Sequence, residues 1–218
     1  FLEAYRFSDV TRALYDFLWR DYCDWYLELV KGRFSNGTSK ARQQAQQTLV
    51  EVLEAALKMM HPVMPFVTEA LWQALPLEER DKPASIMVAA WPVADPAWDD
   101  PKAEKEMDFL QQVVTAVRTI RGDMNIPTGK KVHVLVSCSA DEIETLLKEQ
   151  QASIQLLVRA EVVEVGRNLQ QPPASGSAVL AFAQVYVPLE GLIDLDAEQQ
   201  RLQKEIAKFQ GLLKGLDA

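Results

Sequence analysis

Positive charge and an aromatic ring come together in one short stretch of the chain. The twelve residues from 31 to 42 contain no Asp or Glu, and they carry four cations and one aromatic ring: Lys31, Arg33, Lys40, Arg42 and Phe34. Lysine and arginine bind phosphates, and an aromatic ring can stack on an unpaired base. Lys31, Arg33 and Phe34 are therefore candidate nucleic-acid contacts, with Phe34 as the stacking residue. The alternative is an ordinary solvated charged face.

A second basic group lies near residue 120. Arg118, Arg121 and Asn125 are spaced three and four residues apart, so a helix at ~100° per residue would place them on one stripe. We predict that the two arginines hold phosphates or a splayed base and that the Asn125 amide reads a base edge. Lys130 and Lys131 follow at once and are predicted to contact an RNA backbone. The alternative is that the negative end of the helix dipole favours the arginines without any ligand.

No group of residues predicts catalysis or metal binding. His61 lies beside a proline and His133 alternates within a predicted strand, and both positions are typical of packed or surface histidines. Gly129 stands alone in a turn, so no glycine-rich phosphate loop follows a strand. Cys23 and Cys138 are far apart and lack CxxC spacing, which predicts neither a metal site nor a disulfide and suits a reducing cytosol.

Helical spacing of apolar residues predicts the elements that carry the first basic group. A helix begins at Ser8 and runs to Lys31, and Gly32 ends it, so that Phe34 falls in a polar loop. A second helix runs from Ser39 to His61.

Two prolines then make a corner. Pro62 and Pro65 turn the chain into a short helix, and Phe66, Leu71 and Trp72 are predicted to fill the angle. His61, Pro62, Pro65 and Trp72 are therefore assigned to architecture and not to an active site.

A fourth helix and then strands follow. Asp100 caps a long helix with Pro101 at its first position, and "NIPTGKK" breaks it. Beyond it, alternation predicts a strand over 132–138, a helix over 141–158, a strand at "EVVEV" and a third strand over 178–187. The predicted fold class is mainly α: a helical bundle over residues 1–126, a small α/β domain over 127–193, and the first helix of a coiled coil over 194–218. The two basic groups would lie at opposite ends of the bundle.

The C-terminal stretch carries a heptad pattern. Apolar residues recur every seven positions, and a second series follows four residues later: Leu195, Leu202, Phe209 and Leu216, with Gln199, Ile206 and Leu213. Such a seam needs a partner helix. We expect the chain to be a piece of a longer protein that supplies it; the alternative is a homodimeric coiled coil.

Composition limits the function classes. The net charge of −8 and the pI near 4.9 disfavour a dedicated nucleic-acid binder, so any nucleic-acid binding must come from local basic clusters. No apolar run approaches the ~18–20 residues of a membrane span.

Three stretches carry a family resemblance: "FLWRDYCDWYLELVK", "MMHPVMPFVTEALW" and "AVRTIRGDMNIPTGKKVHVLV". Together they resemble the C-terminal part of the bacterial valyl-tRNA synthetase family, over essentially the whole chain. "HPVMPFVTEALW" is similar to the anticodon-binding domain of the valine, isoleucine, leucine and methionine enzymes of class I. The "RTIRGDMNIP" helix end and the heptads favour the valine member.

The resemblance implies a function and its limits. The full enzyme would activate valine with ATP and Mg²⁺, attach it to tRNA in the cytoplasm as a monomer, and hydrolyse mischarged threonine in a separate editing domain. The HIGH and KMSKS motifs of the ATP site do not occur here, so this chain would bind the anticodon stem-loop of valine tRNA without cofactor, DNA or membrane and would not aminoacylate. The alternatives are the equivalent part of an isoleucine or leucine enzyme, or a non-enzymatic coiled-coil interaction module.

Overall fold

A computed structural model describes residues 3–76 and 83–192, together with Gln203, Ile206, Ala207, Phe209 and Gln210 of the C-terminal stretch. The chain divides into two compact units, unit 1 (Phe1–Asp99) and unit 2 (Asp100–Ala218). Helices make up the described part of unit 1, and unit 2 combines helices with a four-stranded sheet. The predicted class, helices followed by a small α/β domain, is confirmed.

Unit 1 begins with one long helical segment that changes its winding twice. Its described elements are α1 Phe7–Tyr15, a π-helical segment Asp16–Tyr26, α2 Leu27–Asn36, α3 Ser39–Met60 and α4 Pro65–Ala74, with short 3₁₀ turns at Ile86–Val88 and Pro96–Trp98. The prediction that Gly32 ends the first helix is wrong, because α2 continues to Asn36. Glycine inside a helix costs only about 1 kcal/mol relative to alanine, so one glycine does not by itself end a helix.

The proline corner forms between α3 and α4 as predicted, with Pro65 in the first turn of α4. Trp72 is fully buried and contacts Leu57 and Ile86, while its Nε1 donates to the carbonyl oxygen of Pro83 (3.2 Å). The predictions for Phe66 and Leu71 are wrong: their side chains are 91% and 46% exposed. Pro65 sets the direction in which α4 begins, and that direction turns Trp72 inward and Phe66 outward.

A carboxylate fastens the chain after the corner to α4. Glu69 accepts hydrogen bonds from Gln73 Nε2 (2.6 Å), Ser85 Oγ (2.8 Å) and the backbone N–H of Ile86 (3.1 Å). The bond from Gln73 is the largest of the causes that lower the pKa of Glu69, and the two bonds from Ser85 and Ile86 lower it further. The ionised form is therefore the one that unit 1 stabilises.

This lowered pKa predicts a pH-dependent difference between the natural chain and Glu69→Gln. Because the folded pKa is lowered, Glu69 contributes stability above the unfolded pKa of about 4.3 and loses that contribution as the pH falls through the folded value. We expect Glu69→Gln to lower the urea midpoint of unit 1 at pH 7, and the difference to shrink below pH 4. A difference that stays constant from pH 7 to pH 2 would contradict this assignment.

Unit 2 begins with α5, Pro101–Asp123. The Asp100 side chain caps it as predicted, accepting from the backbone N–H groups of Lys102 (3.1 Å) and Ala103 (3.0 Å). The apolar residues Leu110, Val113, Val117 and Ile120 of α5 are buried, and α5 packs against α7, β3 and β4, which are defined below. The contacts therefore group α5 with the sheet in unit 2. The sequence had predicted a helical domain over residues 1–126, which would include α5.

The sheet combines parallel and antiparallel pairs. The elements are β1 Val132–Cys138, α6 Asp141–Glu149, α7 Gln151–Val158, β2 Ala160–Arg167, β3 Ser175–Val179 and β4 Ala183–Pro188. The strand order is β2-β1-β4-β3; β1 pairs in parallel with β2 and antiparallel with β4, and β4 pairs antiparallel with β3. The predicted helix over 141–158 divides at Gln150, and the predicted third strand is a hairpin of β3 and β4.

One glycine lets α5 approach the sheet. A Cβ on Gly176 of β3 would collide with Cγ2 of Ile120, which is buried on α5. We expect Gly176→Ala to destabilise unit 2 by about 1–3 kcal/mol, as overpacked cores generally do. Gly129→Ala is the matched control, since a Cβ there meets nothing within 4 Å. Urea unfolding measures both, and equal midpoints for the two variants would contradict this packing account.

The predicted coiled-coil segment lies outside the described residues except for five of them. Ile206 and Phe209 are helical, and each is 56% exposed. Within the described residues, no helix combines the length and the apolar character needed to span a bilayer.

Candidate nucleic-acid interface

The first basic group lies where α2 ends and α3 begins, a feature that we call the α2–α3 corner: Arg33, Phe34, Lys40 and Arg42. The three cations are exposed and Phe34 is half-buried. Arg33 lies in the last turn of α2, where the helix dipole favours a cation. Lys40 and Arg42 lie at the start of α3, where the dipole disfavours them, and no acidic residue lies in that first turn. The corner therefore concentrates positive charge at the expense of helix stability, an arrangement that suits an anionic ligand.

The turn within the corner is built from two small residues. The backbone N–H of Gly37 donates to the carbonyl oxygen of Arg33 (3.0 Å), and a Cβ on Gly37 would collide with that same oxygen. Thr38 then caps α3, its Oγ1 accepting from the backbone N–H of Ala41 (3.2 Å). Gly37 and Thr38 thus fix the direction in which the cations of α3 leave α2.

Two predicted contacts of the first basic group, Lys31 and Phe34, have surroundings other than those predicted. Lys31 donates to Glu28 Oε1 at 2.5 Å, so a carboxylate one turn earlier compensates its charge. Phe34 lies on α2 and not in a loop, and its side chain is half-buried. Lys31 and Arg33 are two positions apart on a helix and so point to different sides.

Arg121, predicted to hold a phosphate or a splayed base, lies inside unit 2. Its side chain is 9% exposed, and the guanidinium donates to three backbone carbonyl oxygens: those of Val158 (2.9 Å), Pro127 (2.9 Å) and Lys130 (3.0 Å). Burial lowers the pKa of Arg121, and the positive charge of Arg159 lowers it further. The structure thus contradicts the predicted surface role, because the donors that would meet a phosphate join α5 to the end of α7 and to the turn after α5.

The other candidates of unit 2 are exposed, and they differ in their hydrogen-bond partners and backbone conformation. Arg118 donates from Nη2 to the carbonyl oxygen of Leu157 (3.3 Å), so it also meets the C-terminal end of α7. Asn125 has a left-handed backbone (φ 50°), which asparagine tolerates after a helix. Lys130 Nζ donates to the carbonyl oxygens of Gly191 (3.1 Å) and Leu192 (2.9 Å). Lys131 is exposed and directly precedes β1. Apart from Arg121, the predicted RNA contacts of this group stay predictions.

The structure separates the two predicted groups into different compact units. It also adds a cation that the sequence pattern did not single out, Arg159, which is exposed and directly follows α7. The sequence alone does not mark Arg159. Its backbone is left-handed after α7, and glycine or asparagine, not arginine, is the residue type that signals such a position.

The thiols are unsuited to chemistry at neutral pH. Burial raises the pKa of Cys138 to about 11, and burial also raises the pKa of Cys23. Both thiols therefore stay protonated and weakly nucleophilic. Within residues 3–76 and 83–192, no three His, Cys, Asp or Glu side chains are placed to hold a metal ion.

Comparison with known families identifies the family of the chain. A family model described as the anticodon-binding domain of tRNA ligase matches residues 1–136, which is more than half of the chain. The chain belongs to this family. The match to the anticodon-binding domain family includes α1 to α5 and most of β1, and every predicted contact residue lies within it. Arg159 lies beyond it.

Curated relatives are similar over nearly the whole chain. The valine–tRNA ligase of Geobacter sulfurreducens is 38% identical over 208 residues, which is 95% of this chain and 23% of that protein. The same enzyme from Syntrophotalea carbinolica is 38% identical over 210 residues, and that from Bacillus subtilis is 35% identical over 207 residues. The chain spans 23% of the length of these relatives. The resemblance that the motifs predicted is confirmed.

Proposed function

We propose that this chain is the part of a valine–tRNA ligase that binds the anticodon stem-loop of valine tRNA. The family match over residues 1–136 carries this proposal, and the shared name of the relatives supports valine over isoleucine or leucine. The positive charge at the α2–α3 corner supports it independently, because the chain as a whole is acidic.

Anticodon bases suit the chemistry of this surface. They are unpaired, so they can be splayed, stacked on an aromatic ring and read at their edges. We assign Arg33, Lys40 and Arg42 to phosphates of the loop and the half-buried ring of Phe34 to a stacked base. Arg118, Asn125 and Lys131 of unit 2 remain proposed contacts. Lys31 and Lys130 are weaker candidates, because Glu28 and two carbonyl oxygens already engage their ammonium groups.

The activity of the parent enzyme belongs to the rest of its chain. A full-length ligase would use ATP and Mg²⁺ to attach valine, and it would need a second site to remove threonine, because a pocket that fits valine rejects this isostere by only about 10². We infer that the present chain binds tRNA in the cytoplasm and does not aminoacylate alone.

Anticodon dependence tests the proposal. Titration of fluorescently labelled valine tRNA with this chain should show saturable binding, and replacement of the central anticodon base should weaken binding by about 5–150-fold, the effect of one lost base contact. Isoleucine and leucine tRNAs should bind like the altered tRNA. Equal affinity for all of these tRNAs would overturn anticodon recognition, and tighter binding of isoleucine or leucine tRNA would overturn the assignment to valine.

A further inference from the structure

Arg159 holds a backbone conformation that arginine seldom adopts. It follows the last residue of α7 with φ 54° and ψ 47°, in the left-handed region that normally takes glycine or asparagine at the end of a helix. An L-residue with a Cβ is strained there. Strain that a fold retains at an exposed side chain points to a role for that side chain.

The surroundings of Arg159 are positively charged. It lies close enough to Arg121 for its charge to act on that guanidinium. Val132 of β1 pairs with Ala160 of β2 in parallel register, so Lys131 and Arg159, which precede them, are neighbours at the same edge of the sheet. Adjacent strands are separated by about 4.8 Å. The fold therefore brings like charges together.

No carboxylate among the described residues pairs with Arg159 or Lys131, so their positive charges are not neutralised. Among the described residues, Arg159 makes one hydrogen bond, from Nη1 to the carbonyl oxygen of Thr128 (3.3 Å), and Lys131 makes no hydrogen bond or ion pair. A carbonyl oxygen carries no formal charge to balance a guanidinium. The carboxylate that follows on β2, Glu161, lies 3.7 Å from Nε2 of His133.

Capping of α7 explains only part of this positive charge. Arg118 and Arg121 donate to the carbonyl oxygens of Leu157 and Val158, in the last turn of α7, where carbonyl groups have no partner within the helix. Neither Lys131 nor Arg159 caps α7 with its side chain. These two residues, which we call the β1–β2 basic edge, need another explanation.

We propose that the β1–β2 basic edge binds a phosphate of the tRNA backbone. This inference rests on the proposed function and adds a contact on unit 2, at the start of the sheet and partly outside the anticodon-binding family match. A phosphate would bridge the two side chains and relieve their repulsion. Contact with a phosphate carries no sequence information, so this edge strengthens binding equally for every anticodon.

Four variants test the edge in titrations of valine tRNA at about 0.1 M salt. We expect Arg159→Gly and Lys131→Gln each to weaken binding by about 3–10-fold and to reduce the slope of log affinity against log salt by about 1. Arg159→Lys should keep most of the affinity, because it keeps the charge. Arg167→Gln is the matched control, an exposed arginine of unit 2 whose Nη1 lies 2.6 Å from Asp141 Oδ1, and it should bind like the natural chain.

The outcomes separate this inference from the proposed function. Arg159→Gly should not lower the melting temperature, since glycine suits the left-handed conformation, and Lys131→Gln tests the edge without touching that backbone. The same fold-loss on valine tRNA and on tRNA with an altered anticodon would support a backbone contact. Unchanged affinity and slope in both Arg159→Gly and Lys131→Gln, while the natural chain still discriminates anticodons, would overturn the edge alone. Absence of binding by the natural chain would overturn both proposals.

Discussion

Arg121→Ala is expected to destabilise unit 2 by about 3–5 kcal/mol. This substitution leaves three carbonyl oxygens without their donor, at about 1–3 kcal/mol for each one that stays buried and unpaired. Loss of the desolvation cost of the buried guanidinium offsets part of that sum. These carbonyls belong to the end of α7 and to the turn between α5 and β1. The loss would therefore loosen two connections at once.

Alkylation of Cys138 offers a direct measurement. This thiol is buried on β1 and its pKa is raised to about 11, so it should react only when unit 2 opens. Mass spectrometry distinguishes it from Cys23. We expect Cys138 in Arg121→Ala to react at a lower urea concentration than in the natural chain.

Arg118→Ala is the matched control, because Arg118 lies one turn before Arg121 on α5 and is exposed. It should shift the urea midpoint much less. If Arg121→Ala instead left the stability of unit 2 unchanged and weakened tRNA binding, the guanidinium would be a ligand contact and the structural role assigned to it would be wrong.

Removal of the three cations of the α2–α3 corner is expected to have the largest effect on binding. The triple variant Arg33→Gln, Lys40→Gln and Arg42→Gln should lower the affinity for valine tRNA by about 10²–10³-fold at 0.1 M salt, because each lost phosphate contact forfeits counterion release. Its stability should not fall, because the gain at Lys40 and Arg42 offsets the loss of Arg33, which the dipole of α2 favours. Lys40 and Arg42 oppose the dipole of α3, and neutral residues there remove an unfavourable interaction of about 0.3–1 kcal/mol each.

A second triple variant with the same net charge tests whether the loss of tRNA affinity depends on the position of the cations or only on total charge. Arg6→Gln, Arg12→Gln and Arg20→Gln remove three exposed arginines of the same unit, one just before the first helical segment and two within it. We expect this control to weaken binding by less than about 10-fold, through long-range electrostatics alone. Equal losses in the two triple variants would show that binding follows overall charge and not the α2–α3 corner.

The sequence predicted the elements whose ends carry strong local signals. Asp100 with Pro101 marked the start of α5, and Pro65 marked the start of α4, because a capping carboxylate and a proline act within one turn. The alternation of apolar residues that predicted β1 is also a local signal, because it lies within the strand itself. The prediction that Gly32 ends the first helix failed because one glycine only weakens a helix. The contacts of α2 with α3 are not visible in the local sequence.

The candidate site was less predictable because its decisive contacts cross large distances in the sequence. Helical spacing correctly put Arg118 and Arg121 near each other on α5, yet it could not show that the carbonyl acceptors of Arg121 include Val158, 37 residues away. Residue types identified the α2–α3 corner, whose cations are close in sequence. Arg159 could not be predicted from spacing, because it is far from Lys131 in the sequence and becomes its neighbour only through the parallel pairing of β1 and β2.

The salt dependence of tRNA binding tests the central claim most directly, namely that local basic surfaces let an acidic chain bind tRNA. The measurement is a titration of valine tRNA with the natural chain at salt concentrations from 20 mM upward. We predict saturable binding at the lowest salt and a linear fall of log affinity with log salt, with a slope of about −3 to −5 for the phosphates contacted by both surfaces. No association with valine tRNA at the lowest salt, or an affinity that salt does not change, would contradict the account.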